Sequence, residues 1–225
     1  AVAQDPLLYR DEKLQRRLSR LGQFAATYPA LLPSHLSSAE FYTAFAQDVT
    51  RFVSVEDKIR QYLFSNPHYI ALCHWNANID NAWFWRSGSG ELECGLMDWG
   101  AVGQMSVAKS IYGSISGAEI DVWDEHLDSF LQTFIAEFSL CGGPALNLLE
   151  LKKQVRLFTA IMGVGYLLDA PAILEKNVAE LEKITGPKDE RLLEIEDARV
   201  QLHMLTMFLH QWGSGNISSL IREFE

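Results

Sequence analysis

A mainly α-helical chain with a small β-hairpin or sheet, an α+β fold, is what three observations predict. Apolar residues recur at helix spacing on both sides of the chain's centre, through residues 14–64 and again through 121–212. Between those stretches, residues 69–97 change to short β-prone runs bounded by turn chemistry. A chain of 225 residues, 48% of them hydrophobic, can also bury a substantial core as one large domain or a tightly joined pair. The expected organisation is a helical segment over 1–66, a core of loops and short strands over 67–112, and a helical subdomain over 113–225.

Taken in order, Leu14, Leu18 and Leu21 share one helix face, while Arg16, Arg17 and Arg20 fall mostly on another. Pro29 and Pro33 separate this helix from the next. That second helix, over 38–64, has a stripe of Phe41, Phe45, Val49, Phe52 and Val53, with Ser37 or Ser38 as N-cap. After Asn66-Pro67, the run 69–73 (YIALC) predicts a buried strand. Residues 82–85 (AWFW) predict a second strand, 86–91 a turn and 92–97 the returning strand. Residues 107–115 have the composition of a buried helix. A further helix is expected over 121–138, ended by Gly142-Gly143-Pro144, with Phe130, Leu131, Phe134, Ile135 and Phe138 in its stripe. Residues 146–168 are apolar throughout, as a central core helix would be, and Gly163 and Gly165 allow a bend or a close neighbour. Gly186-Pro187 precedes a final helix over 189–212, and 213–216 (GSGN) reads as its C-cap.

The chemistry concentrates in His74-Trp75-Asn76-Ala77-Asn78-Ile79-Asp80-Asn81 and in Asp98-Trp99-Gly100. The expected hairpin brings Asn81, at the start of one strand, close to Asp98, at the end of the other. One amide and one carboxylate make an oxygen-only pair that suits Mg²⁺, which keeps its other positions for water and phosphate oxygens. A base followed five residues later by a metal-holding amide, and then by a carboxylate beyond a hairpin, is the order used in phosphoryl transfer. Here the base position holds Asn76, and an amide can orient a hydroxyl but cannot take its proton at neutral pH.

Residues 69–112 resemble the aminoglycoside phosphotransferase and choline kinase superfamily, whose loop reads His-Gly-Asp-x-x-x-x-Asn before a hairpin ending in Asp-Trp-Glu. The resemblance implies a protein-kinase-like C-terminal lobe. It makes Asn81 and Asp98 the metal and cofactor ligands, His74 a brace for the loop, and Asn76 the occupant of the catalytic position. Mg²⁺ and ATP are the implied cofactors, and a small hydroxyl-bearing molecule the implied substrate. The chain departs from the pattern at Trp75, where glycine is usual, at Asn76, and at Gly100, where glutamate is usual. Gly103-Gln104-Met105 stands where the family often continues Gly-Asp-Pro. Residues 1–66 carry neither a phosphate-covering glycine loop nor a strand lysine, and the chain opens on Ala1 rather than Met. The expectation is therefore a C-terminal lobe whose N-terminal lobe is absent from this chain, or a protein that never had one; the missing lobe or a partner protein is the expected partner. Asp80, the only carboxylate within the loop, is a substitute base only if the loop is remodelled.

Composition narrows the remaining choices. A formal charge of -10 and a pI near 5.1 argue against nucleic acid, which is bound through basic patches. Cys73, Cys94 and Cys141 have no metal-ligand spacing, and all three are expected to be buried. No run reads as a membrane span or signal peptide, so the expected location is cytoplasmic. His203 and His210 share a helix face but lack the spacing of a metal pair. Asp121, Asp124, Glu125 and Asp128 form an acidic helix start favoured by the helix dipole. Two functions follow: a phosphotransferase-like small-molecule kinase domain, or a pseudokinase that binds or assembles without turnover. A helical protein of unrelated ancestry is the third reading.

Overall fold

The computed structural model describes residues 10–225, so the first nine residues of the expected 1–66 segment lie outside the described residues. Helix accounts for 69% and the strands are few, short and antiparallel, as the composition predicts. Residues Arg60–Phe158 form one compact unit; 10–59 and Thr159–Glu225 form the other.

The second unit is helical. In α1 (Asp11–Thr27), Leu14, Leu18 and Leu21 are buried on one side, as their spacing predicts. Short 3₁₀ turns at Pro29–Leu31 and Ser34–Leu36 follow the two prolines. Helix α2 (Ala39–Ser65) starts where Ser38 Oγ accepts the Phe41 N–H at 3.0 Å, which satisfies one of the unpaired amides of the first turn. Phe45, Val49 and Phe52 are buried, whereas Phe41 and Val53 are half-buried. Phe45 and Phe208 both pack edge-on against Trp212, with ring centroids 4.9 and 5.6 Å away.

Helix α5 (Leu148–Met162) gives way at Gly163–Leu167 to a π-helical turn, the bend its glycines allow. A Cβ on Gly163 would lie 2.0 Å from the Phe208 ring, so the close approach there requires glycine. Helix α6 (Ala170–Asn177) follows. The helix expected over 189–212 is interrupted. It forms α7 (Glu190–Leu193) and α8 (Glu196–Ser214), because Ile195 is extended while its N–H closes a turn on Leu192 O. Glu196 and Asp197 then open α8, where the dipole favours carboxylates. Helix α9 (Ile217–Arg222) had no clear sequence signal. His210 meets His35 across this unit at 3.2 Å.

In the first unit β1 (Ile70–His74) pairs with β4 (Val102–Ser106), and β2 (Ala82–Arg86) with β3 (Leu92–Leu96). Helix α3 (Val107–Ile115) follows β4 and is capped by Ser106 Oγ, which accepts the Ala108 N–H. Helix α4 (Leu127–Leu140) is preceded by a π-helical turn at Val122–His126. That turn changes the phase of the stripe. Trp123, Leu127 and Leu131 are buried, while Phe130 is exposed and Phe134 stacks on Phe138 at 5.5 Å.

Three sequence expectations need correction. The run 69–73 is not a buried strand: Leu72 is 77% exposed and Ile70 and Ala71 are half-buried, because one face of the two-stranded β1–β4 pair is left uncovered. Cys94 and Cys141 are exposed and Cys73 is half-buried, because β3 is uncovered and Cys141 follows the end of α4. The helical stretch Leu148–Asn177 is long and apolar enough to cross a membrane by length and composition. Its most apolar window is 67% buried within the protein, as in a core helix.

Candidate functional site

Strand β1 ends on His74, which is 6% exposed and uses both ring nitrogens inside the loop. Met97 O can only accept, so His74 Nε2 donates to it at 2.9 Å. That leaves Nδ1 unprotonated, and it accepts the Asn76 N–H at 3.2 Å. The His74 carbonyl accepts from Ser110 Oγ at 2.8 Å, and Trp99 packs against the imidazole with ring centroids 4.9 Å apart. One side chain thereby joins the start of the loop to the residue preceding Asp98.

Asn78 shapes the middle of the loop. Its Oδ1 accepts the N–H groups of Asp80 and Asn81 at 3.1 and 3.3 Å, starting a 3₁₀ turn at Ile79–Asn81. Its Nδ2 donates to Asn76 Oδ1 at 3.1 Å. Asn81 Nδ2 donates to Asn76 O at 2.9 Å. The Asn81 amide is thus turned so that its Oδ1 makes no hydrogen bond among the described residues.

The hairpin performs the juxtaposition expected of it. Ala82 stands opposite Leu96, and beyond that pair the Met97 N–H donates to Asn81 O at 2.9 Å. Asp98 follows directly, with φ 57° and ψ 54°. A non-glycine residue in the left-handed region costs about 1 kcal/mol, a strain that persists where surrounding structure enforces it and that is concentrated at functional sites. The Asp98 carboxylate is exposed and caps nothing. Asp80 is exposed in the 3₁₀ turn, and its side chain makes no hydrogen bond among the described residues.

Helix α3 buttresses the loop from behind. Ser110 holds the His74 carbonyl, and a Cβ added to Gly113 would lie 2.0 Å from Trp75 O. Lys109 Nζ sits 5.5 Å from the centre of the Trp75 ring. Asn78, Ser110 and Gly113 are the site residues that sequence reasoning missed. The spacing of Ser110 and Gly113, two small residues three apart on an apolar helix, was the available signal for a close approach.

Among the described residues, no group of three or more His, Cys, Asp or Glu side chains could hold a metal ion. Asn81 Oδ1 and the Asp98 carboxylate are instead two hard oxygen donors left free of hydrogen bonds by the loop's own network. The surrounding strands expose much apolar surface: Leu72, Trp83 and Leu92 are 77%, 63% and 66% exposed. Comparison with family models, with curated proteins and with solved structures finds no significant match to this chain.

Proposed function

We propose that this chain is an aminoglycoside phosphotransferase-like small-molecule kinase domain in degenerate form, corresponding to a C-terminal lobe. The observation that carries the reading is the Asn76–Asn81–Met97 linkage. Asn81 donates through its side chain to the backbone of the base position and accepts through its carbonyl from the residue before Asp98. Asn81 thus stands where the hairpin ladder meets the loop, and this shared position is what supports the reading.

In this reading Asn81 and Asp98 hold Mg²⁺ with ATP. Bound there, the metal would neutralise charge on the nucleotide's phosphate oxygens. The chain's own residues do the positioning. His74 fixes the loop's entry, Asn78 its turn, and Asn76 would orient the acceptor hydroxyl. Asn76 cannot remove that hydroxyl's proton, and general base catalysis is typically worth about 10² to 10⁴ in rate. Transfer is therefore slow.

One observation favours the alternative, a pseudokinase that binds without turnover. Asn76 Oδ1 is already engaged by Asn78 Nδ2, so the side chain offers a substrate mainly its N–H groups. The exposed apolar surface of β2 and β3 further supports a covering N-terminal lobe or partner protein, since an isolated two-stranded hairpin is marginal in water.

Calorimetric titration of Mg-ATP, with Asp98→Ala as control, tests the reading. Saturable, metal-dependent binding that the control loses is expected. Binding that survives in the control would refute the assignment of Asp98. With Asn76→Asp, recovered phosphoryl transfer to small hydroxyl acceptors supports the enzyme; nucleotide binding without transfer supports the pseudokinase.

A further inference from the structure

We propose that a cleft on α1, in the unit that does not contain the candidate loop, binds a phosphate-bearing small molecule through Arg16, Arg17 and Arg20. The cleft has a volume of about 520 Å³ and is lined by these three arginines with Ser19, Gln23 and Asp169. On a chain of formal charge -10, three guanidinium groups within five residues are a local reversal of sign. The three guanidinium groups face the carboxylate of Asp169 and, beside Arg20, that of Glu175, which leaves a local excess of one positive charge for an anion.

The arginines are held in different ways, and the difference makes the cleft a site rather than a neutralised pair. Arg17 Nη2 is fixed by Asp169 Oδ2 at 2.8 Å, and both residues line the cleft. Arg20 Nε lies 3.5 Å from Glu175 Oε2 in a half-exposed pair, a geometry that contributes little in water. Arg16 has no hydrogen bond or ion pair among the described residues, and it is exposed. Guanidinium groups present paired N–H donors at the spacing of phosphate oxygens, so Arg16 and Arg20 can each engage the anion in a forked contact. Ser19 and Gln23 add neutral donors for ester or hydroxyl oxygens. The volume falls in the range of small-ligand sites, so the ligand extends beyond a bare phosphate.

The test uses inorganic pyrophosphate as probe, titrated calorimetrically into the whole chain in EDTA at fixed ionic strength. Excluding metal keeps the Asn81–Asp98 pair silent, so failure here and failure of the proposed function remain distinguishable. Saturable binding is expected, unchanged in Asp98→Ala and weakened on the order of tenfold or more in Arg16→Gln/Arg20→Gln. Both arginines are exposed, so circular dichroism of the double variant should match the parent. No saturable binding, or equal binding in the double variant, would overturn the proposal.

Discussion

Replacing Gly113 with alanine puts the packing of α3 against the loop to a direct test. The added Cβ would lie 2.0 Å from Trp75 O, 3.2 Å from its carbonyl carbon and 3.1 Å from the indole ring. Relieving the contact to oxygen requires a displacement of about 1 Å, since packed atoms do not interpenetrate. Trp75 O is backbone and cannot swing aside freely. The preceding His74 carbonyl is held by Ser110, and the following Asn76 N–H is held by His74 Nδ1. Overpacking of this kind costs about 1–3 kcal/mol, and each hydrogen bond lost adds about 1 kcal/mol. Against this, alanine in a helix interior is favoured over glycine by about 0.5–1 kcal/mol. The clash outweighs the propensity, and Gly113→Ala should be less stable by about 1–3 kcal/mol. Urea unfolding followed by circular dichroism reads this as a lower midpoint at unchanged slope. Gly88→Ala, where the new methyl meets nothing within 4 Å, is the control and should be nearly neutral. A Gly113→Ala variant as stable as the parent would refute the close packing of α3 on the loop.

Other measurements reach different parts of the chain. His74→Ala strands Met97 O and the Asn76 N–H, so it should cost about 2–4 kcal/mol in urea unfolding; a change within error would mean that the brace does not form. Burial pushes the hydroxyls of Tyr42 and Tyr112 above their ordinary value near 10. Above pH ~10 the unfolded chain loses these protons while the folded chain retains them, so stability should fall, and Tyr112→Phe should flatten that fall. The Arg191 side chain, then the Thr185 N–H, hold the Asp189 carboxyl well below the usual carboxylate range. That stabilisation is present above the unfolded value near 4 and is lost as pH falls below it, so Asp189→Asn should be less sensitive to acid than the parent. Cys94 and Cys141 should react rapidly with a thiol reagent in the native state. Cys73 should react slowly, because its half-buried position pushes its thiol up.

The longer helices and the β2–β3 hairpin were legible because they depend on local signals. Leu14, Leu18 and Leu21 are spaced for one face, Ser38 is a cap, and the run 86–91 is rich in turn residues. Strand β4 was not legible: Val102-Gly103-Gln104-Met105 carries a weak alternation, and its pairing with β1 is set by residues some thirty positions earlier. The partial exposure of α4 was hidden for a related reason. Spacing locates an apolar stripe, but the π-helical turn at Val122–His126 changes which positions face inward. Within the loop, spacing singled out His74, Asn76, Asn81 and Asp98 as candidates. It could not identify Ser110 or Gly113, whose contribution lies in where α3 is packed.

The loop's architecture depends little on what residue 76 can do chemically. Its N–H is held by His74 and its carbonyl by Asn81, so two of its three hydrogen bonds are made by backbone atoms that any residue supplies. The third, from Asn78 Nδ2 to Asn76 Oδ1, would be accepted equally well by an aspartate. In the proposed reading, the loop would keep its shape with either an amide or a carboxylate at residue 76. Positioning of Asn81 and Asp98 and proton removal at residue 76 are separable here. For that reason Asn76→Asp is an informative substitution: it changes the proton-accepting group while leaving each contact of the loop a partner. Activity regained at unchanged stability would mean that the loop retains the geometry of transfer and lacks only the carboxylate.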